Sequence, residues 1–273
     1  MKRILSLTDF SELAETGVTT AFELAQEAVI IYHKLENDSL LSLGLEQSKS
    51  LDFLNTPRQA DCFERWKGLA KEKAIKAQAI FSADDLLSKV GEIVKKLDID
   101  LIVMGSTGAG GKEAYIWGSN TERVVQSVHC PVLVIKGAMR DFRLDNIVFA
   151  SSFDQREKEV LEYALKLIQP EKDAMIHLLS IDTSSYFAQT TQVMKAAMKD
   201  FEEVAKPWAT KRHFYKDASI DSGIRNFMEE VKPDMLIMSN KFNKPLKHAF
   251  VGNQAIRMVN HSDFPVLTID YMD

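Results

Sequence analysis

Short apolar runs alternate with amphipathic segments along the first half of the chain. The runs are typical of short buried strands, and the segments between them space apolar residues as helices do. Strands that alternate with helices in this way predict an α/β fold with a parallel sheet. The predicted strands cover residues 4–7, 29–33, 74–81, 100–104 and 131–135.

Polar residues mark where the helices between these strands begin. Ser11 is placed to cap the first helix, and Asp84 is placed to cap an amphipathic helix after the third strand. Residues 35–58 are polar and irregular, and they predict a long connection. The predicted helices cover residues 12–26, 60–71, 85–97 and 119–127.

The second half of the chain repeats this plan. Residues 147–150 echo the first strand 143 positions later, and residues 233–238 echo the fourth strand 134 positions later. A repeat of this size indicates two duplicated domains rather than a solenoid. We predict one domain over residues 1–137 and a second over residues 146–273.

Composition limits the classes of protein. The 273 residues suit two domains, and a hydrophobic content of 45% supports packed cores. The net charge of −5 argues against nucleic acid as the main partner. No apolar run is long enough to predict a membrane span, and Asp9 and Glu12 interrupt the stretch that a signal peptide would need. Two widely separated cysteines, Cys62 and Cys130, fit reduced thiols in a cytoplasmic protein.

Small residues follow the fourth predicted strand at a spacing that suits an anion. Gly105 and Gly108 are followed by Gly118 and Ser119, which gives the pattern G-x2-G-x9-G-S. Glycine lets backbone N–H groups approach a phosphate without obstruction by Cβ, and the next helix adds its positive dipole end. The pattern predicts a loop around a phosphate chain. A tight turn at the glycines, helix capping by Ser119 and a turn or capping function for Asp9 are the structural alternatives.

Other phosphate, metal and nucleophile motifs fit poorly. Glu113 stands where a Walker A loop needs Ser or Thr and where a dinucleotide fingerprint needs its third glycine. The histidines form no pair with zinc-site spacing, and His33 is predicted to pack structurally. A catalytic cysteine is not predicted, because the neighbours His129 and Cys130 would point to opposite faces of a strand.

Three segments of the first half resemble one family. They are TDFSE at residues 8–12, DLIVMGS at residues 100–106 with the glycine pattern after it, and CPVLV at residues 130–134. Together they resemble the universal stress protein family over nearly all of residues 1–136. Residues 147–270 resemble a second, divergent domain, so the chain is similar to tandem universal stress proteins.

The resemblance implies the fold of each copy. It implies two tandem doubly wound sheets of five parallel strands in the order 3-2-1-4-5, the adenine-nucleotide alpha-hydrolase-like fold. The carboxyl ends of the first and fourth strands then form the switch point at which such sheets bind ligands. Family members commonly pair through their fifth strands, which implies that the two copies pack as an internal pseudo-dimer. Whether two chains pair further as a homodimer is left open.

The resemblance also implies an ATP site in the first copy, and an Mg²⁺ ion held by the phosphates and Ser119 is compatible with it. Asp9 would serve the adenosine end, Thr8 would line the same pocket, and Lys34 would pass the adenine through main-chain contacts. The candidates from Gly105 onward would contact the ribose and the phosphates. The full set is Thr8, Asp9, Lys34, Met104, Gly105, Thr107, Gly108, Gly118, Ser119, Asn120 and Thr121.

The second copy departs from this pattern. Ser239 replaces the first glycine of the motif and Phe242 the second, while Asn253 replaces Ser119 and Ser152 replaces the first-strand acid. A phenylalanine at a glycine position obstructs close approach of the backbone to phosphate. We therefore predict a single nucleotide site, in the first copy.

The resemblance, together with these residues, implies a nucleotide-dependent stress-response regulator in the cytoplasm, with an adenine nucleotide and an unknown protein as partners. No catalytic residue and no protein metal site is assigned. The alternatives are a slow Mg²⁺-dependent ATPase or phosphotransferase, and an interaction scaffold without a ligand. The loop after the fourth strand offers a single carboxylate, Glu113, which weighs against phosphoryl transfer.

Overall fold

The chain folds as two compact units. A computed structural model describes residues 2–36, 41–44, 56–106, 119–137, 143–183, 191–240, 255, 258–259 and 262–270, with only the backbone of 41–44, 119 and 191. Unit 1 is Met1–Phe142 and unit 2 is Arg143–Asp273. The predicted domain limits lie within these units, and they stay predictions, as does the pairing of the two copies. Among the described helices, none is long and apolar enough to cross a membrane.

Unit 1 is a doubly wound α/β sheet. Its strands follow the order β3-β4-β2-β1-β5-β6, and all neighbours are parallel except β3 and β4. The five predicted strands therefore lie in the predicted order 3-2-1-4-5. The elements are β1 (Arg3–Leu7), α1 (Glu12–Leu24), β2 (Ala28–Lys34), β3 (Leu41–Gly44), α2 (Pro57–Lys73), β4 (Lys76–Ser82), α3 (Leu86–Lys96), β5 (Leu101–Ser106), α4 (Ser119–Ser127) and β6 (Val132–Lys136).

The sheet of unit 1 has a sixth strand that the sequence pattern did not predict. Leu41–Gly44 lies inside the connection expected to be irregular, and it pairs antiparallel with β4 opposite residues 78–81. Four residues are too few to show a period among polar neighbours. Pairing with an open strand edge decides the conformation of such a segment, and local propensity has little influence on it. The five predicted parallel strands are thus present, and among the described residues of unit 1 the antiparallel β3 is added to them.

The cap of α3 also differs from the prediction. Asp85, and not Asp84, is the N-cap, and its carboxylate accepts the Ser88 N–H at 3.1 Å. Asp84 instead accepts the Ser82 hydroxyl at 2.7 Å. Two adjacent acids fit the same capping pattern, and only the position where the helix begins decides between them.

Unit 2 repeats the architecture with five parallel strands. Their order is β9-β8-β7-β10-β11, which is again 3-2-1-4-5 in the numbering of one copy. Among the described residues, β9 is the last strand on its side of the sheet. The elements are β7 (Asn146–Ala150), α5 (Glu157–Ile168), β8 (Met175–Asp182), α6 (Thr191–Val204), β9 (Ala209–Lys216), α7 (Ile220–Val231), β10 (Met235–Asn240) and β11 (Val266–Asp270).

Helices cover both faces of the unit 1 sheet. Glu23 of α1 pairs with Lys73 of α2 at 2.6 Å, and α3 and α4 lie together on the other face. The strands between these layers are apolar on both sides, and Ile4 and Leu5 of β1 are fully buried. Burying each such side chain contributes about 1.5–3 kcal/mol, whereas an exposed ion pair contributes about 0–1 kcal/mol. Apolar burial therefore holds the layers together.

Two glycines let α1 approach the end of β5 closely. A Cβ on Gly17 would lie 2.9 Å from the backbone nitrogen of Gly105. A Cβ on Gly105 would overlap the carbonyl oxygen of Leu13 in the first turn of the helix. Backbone thus packs on backbone here, and a methyl group at either position has no space. Gly105 has a packing function that does not depend on any ligand.

We expect Gly17→Ala to lower the free energy of unfolding by about 1–3 kcal/mol, because the new methyl group overpacks the contact with β5. Gly91→Ala is the matched control. Gly91 is also inside a helix, but a Cβ there meets nothing within 4 Å. The control should gain up to about 1 kcal/mol from helix propensity. Urea denaturation measures the change in the free energy of unfolding for both variants. Changes of the same sign would contradict the close approach of α1 to β5.

Candidate functional site

The carboxyl ends of β1 and β5 lie side by side in unit 1. Leu7 and Met104 are register partners, so Thr8 and Gly105 follow them at the same edge of the sheet. The chain runs from β1 to β2 and from β5 to β6 in opposite directions across the sheet, so right-handed crossovers place the helix after β1 and the helix after β5 on opposite faces. A crevice between such strands is the topological switch point at which open α/β sheets bind ligands.

A tight turn presents Asp9 at this edge. The Phe10 N–H donates to Thr8 Oγ1 at 2.9 Å, and the Thr8 N–H donates to the Tyr32 carbonyl at 2.9 Å. Asp9 is exposed, and its Oδ1 accepts the Ser11 N–H at 2.9 Å. Ser11 in turn caps α1, as predicted. The turn is therefore fixed by its own hydrogen bonds, and it leaves the Asp9 side chain facing solvent at the switch point.

Phe10 anchors the turn although the sequence did not single it out. Its φ of 63° is left-handed, which is uncommon for a bulky residue. Its buried ring stacks on Trp66 at a centroid distance of 5.6 Å and meets His33 edge-on at 4.8 Å. The Arg58 Nε donates to the Phe10 carbonyl at 2.5 Å. The repeat could have indicated that Phe10 matters, because the second copy also has a phenylalanine, Phe153, at the matching position 143 residues later.

His33 packs structurally, as predicted. Its Nδ1 lies 2.7 Å from the Thr8 carbonyl oxygen. A carbonyl only accepts hydrogen bonds, so Nδ1 carries the proton in this contact. The ring thus holds the end of β1 against the end of β2.

A buried carboxylate lies beneath the turn. Glu15 of α1 is 4% exposed, and its Oε2 accepts the Trp66 Nε1–H at 3.1 Å with the Arg65 guanidinium 3.8 Å away. Burial raises the pKa of Glu15, and hydrogen bonding to Cys62 and Trp66 only partly opposes this. The same burial, with Glu15 beside it, raises the pKa of Cys62 to about 12. The Cys62 thiol is therefore protonated at neutral pH and is a poor nucleophile.

The other cysteine is equally inert. Cys130 is buried, and burial raises the pKa of its thiol to about 12. Its Sγ donates to the Ile99 carbonyl at 3.6 Å. In the part of the chain that the structure describes, no three His, Cys, Asp or Glu side chains are grouped so that they could hold a metal ion.

The start of α4 holds three of the predicted site residues, Ser119, Asn120 and Thr121. The helix begins at Ser119, Asn120 is exposed and Thr121 is buried. The N-terminus of a helix carries partial positive charge and unpaired N–H groups, which favour an anion. The Arg123 guanidinium lies 3.5 Å from the Asp85 carboxylate, which connects α4 to the start of α3.

The structure brings some candidates together and leaves others apart. Thr8, Asp9, Met104 and Gly105 meet at the switch point. Lys34 is exposed at the end of β2, the neighbouring strand. The candidates in the loop before α4 lie outside the described residues; they are Thr107, Gly108 and Gly118.

One buried cation at this edge was missing from the candidate set. Lys136 ends β6 and is 3% exposed, and its Nζ donates to Ser106 Oγ at 3.2 Å. Ser106 is the last residue of β5, so this contact places positive charge beside the start of the motif loop. The basic residue directly after the predicted fifth strand was the available signal.

The family model of the Universal stress protein family matches residues 1–136 and 143–270, which together are almost the whole chain. The chain belongs to the universal stress protein family. The two matches agree with the two repeats, so this is a tandem universal stress protein.

The chain is also similar to individual relatives and solved structures. A universal stress protein of Methanocaldococcus jannaschii is 31% identical over 140 residues, which are 50% of this chain and 82% of that protein. The crystal structure of a universal stress protein from Archaeoglobus fulgidus covers 98% of both chains with a TM-score of 0.68 at 17% identity, which shows the shared fold. A structure from Arabidopsis thaliana with AMP bound covers 46% of this chain and 92% of its own, at 17% identity and a TM-score of 0.33. The AMP is a property of that protein.

We expect the stability of this universal stress protein to depend on pH through Glu15. Its pKa is raised in the folded state, so the folded chain keeps a proton that the unfolded chain releases above pH 4.5. Relative to Glu15→Gln, which cannot ionise, the wild type should lose stability as pH rises from 4.5 through the raised pKa.

Denaturation midpoints measured from pH 4.5 to neutral pH check this expectation. Glu12→Gln, an exposed carboxylate on the same helix, is the matched control. A constant difference between wild type and Glu15→Gln across that range would show that the carboxyl does not titrate as inferred.

Proposed function

We propose that this universal stress protein binds one adenine nucleotide, ATP with Mg²⁺, in unit 1, and that binding regulates its affinity for a protein partner in the cytoplasm. The observation that carries the proposal is the exposed Asp9 carboxylate beside Gly105 at the switch point between β1 and β5. The glycine motif begins at that same residue. A phosphate loop and a carboxylate acceptor therefore start from neighbouring strand ends.

Different residues would contact different parts of the nucleotide. Asp9 Oδ1 already accepts one backbone N–H, and a carboxylate has capacity for further donors, such as hydroxyl groups at the adenosine end. Gly108 and Gly118 would let backbone N–H groups reach the phosphates. The start of α4 would add its dipole and the Ser119 hydroxyl, and Mg²⁺ would be held by the phosphates and Ser119.

Regulation is favoured over hydrolysis by the side chains available. Phosphoryl transfer usually needs carboxylates that position a metal and a group that orients the nucleophile. Between Ser106 and Ser119 the sequence has one carboxylate, Glu113. Asp9 follows the end of the neighbouring strand β1, where the adenosine would lie. We therefore propose a binding protein, and no activity is assigned.

We expect calorimetric titration of nucleotide-stripped, full-length protein with Mg²⁺ and ATP to give one site per chain. Gly118→Val should abolish binding, because a branched side chain blocks the approach of backbone N–H groups to phosphate. Gly252→Val makes the same change at the matching position of the second copy and should bind as the wild type does. Two equivalent sites, or loss of binding in the Gly252 variant alone, would show that the site is not where we propose it.

A second pair of variants tests the adenosine end separately. Asp9→Asn should weaken ATP binding about tenfold or more, because a hydrogen bond to a charged group contributes about 1.5–3 kcal/mol. Asp154→Asn is the matched control, since Asp154 also accepts the N–H of the residue two positions on, at 3.0 Å. Equal ATP affinity for both variants would exclude Asp9 from the site.

A further inference from the structure

Unit 2 keeps the turn of unit 1 but changes the residues that face it. The Phe153 N–H donates to Ser151 Oγ at 2.7 Å and its φ is 58°, which reproduces the turn at Phe10. The residues around the close approach in unit 1 are small, and their replacements in unit 2 are larger. Ala14 becomes Glu157, Gly17 becomes Val160 and Gly105 becomes Ser239.

These replacements change how the first helix meets the fourth strand. In unit 1 the helix backbone leaves no space for a side chain at Gly105. In unit 2 a serine stands at that position, and α5 begins at Glu157 with no side-chain cap. The first turn of α5 therefore differs from that of α1, and side chains occupy the region between helix and strand.

The Glu157 carboxylate lies at the centre of this region. It is 2% exposed. Its Oε2 accepts three hydrogen bonds: from the Ser151 hydroxyl at 2.5 Å, from the Ser152 N–H at 3.0 Å and from the Ser152 hydroxyl at 2.9 Å. Its Oε1 accepts Ser239 Oγ at 2.7 Å. Donors from the carboxyl ends of two neighbouring strands thus converge on one internal anion.

The Glu157 carboxylate requires these donors, because a buried carboxylate is costly unless hydrogen bonds satisfy it. Ser151 and Ser239 are half-buried and Ser152 is exposed, so the donors lie between the buried carboxylate and the surface. Ser151 and Ser152 follow β7 and Ser239 belongs to β10, which correspond to the two strands that form the switch point in unit 1. The position at which open α/β sheets take a ligand is, in unit 2, filled by the chain itself.

We propose that Ser151, Ser152 and Ser239 form a carboxylate-binding cradle and that Glu157 is its tethered occupant. The switch point of unit 2 is closed to free anions while Glu157 is in place. Removal of that side chain opens the cradle to a small carboxylate such as acetate. This inference concerns unit 2 and does not depend on nucleotide binding by unit 1.

The test compares Glu157→Ala with Glu159→Ala in the full-length chain. Both changes remove one negative charge from the first turn of α5, but Glu159 is exposed. Glu157→Ala should lower Tm by more than Glu159→Ala does. Sodium acetate, compared with sodium chloride at equal ionic strength, should restore at least half of that loss and should leave the wild type almost unchanged. Equal Tm values for the two variants, or equal effects of acetate on all proteins, would overturn the proposal.

Binding is measured directly by the fluorine NMR line width of trifluoroacetate. The line should broaden with Glu157→Ala and not with the wild type or with Glu157→Gln, whose side chain still fills the cradle. Glu157→Gln also covers the case in which the alanine variant does not fold. The Tm of Glu157→Gln should be lower than that of the wild type, because the amide N–H groups face the serine donors of the cradle. Acetate should not restore this loss of Tm. A glutamine variant as stable as the wild type would contradict the cradle.

Discussion

In both units, the space between the first turn of the first helix and the end of the fourth strand decides how the switch point is arranged. In unit 1 it is filled by backbone alone, since Gly17 and Gly105 leave no room for side chains. The turn before that helix then presents Asp9 to solvent. In unit 2 side chains enter the same space, and Glu157 satisfies the donors of both strand ends. One fold thus has two arrangements at its switch point, and the residues opposite the turn decide which arrangement forms.

The strands and the duplication could be predicted from the sequence because their causes are repeated along the chain, whereas the strand order was implied by the resemblance to the family. A strand buried on both faces is mostly apolar, as residues 4–7 are apart from Ser6, and a similar apolar run recurs at residues 147–150. Elements set by one contact were not predictable. Leu41–Gly44 becomes a strand only because β4 offers it an edge, and Asp85 caps α3 only because the helix begins after it.

Candidate site residues could be predicted where their position follows from the end of a strand. Asp9 lies two residues after the end of β1, so its place at the carboxyl edge could be derived. Contacts that join distant segments could not, such as that of Glu157 with Ser239, which are 82 residues apart. A signal was present in the comparison of the two halves, where Ala14 and Gly105 change together to Glu157 and Ser239. Paired replacements between repeats therefore indicate contacts that periodicity alone does not show.

The outer strands affect the tendency of the protein to aggregate at high concentration. An open strand edge is a template on which other chains can aggregate. In unit 1 the short β3 covers part of β4 by antiparallel pairing. In unit 2 β9 instead carries the exposed cations Lys211 and Lys216 along the edge, while Arg212 is paired with Glu202. Like charges repel a second copy of such a strand, so we expect the two units to resist intermolecular sheet growth by different means, backbone pairing in unit 1 and electrostatic repulsion in unit 2.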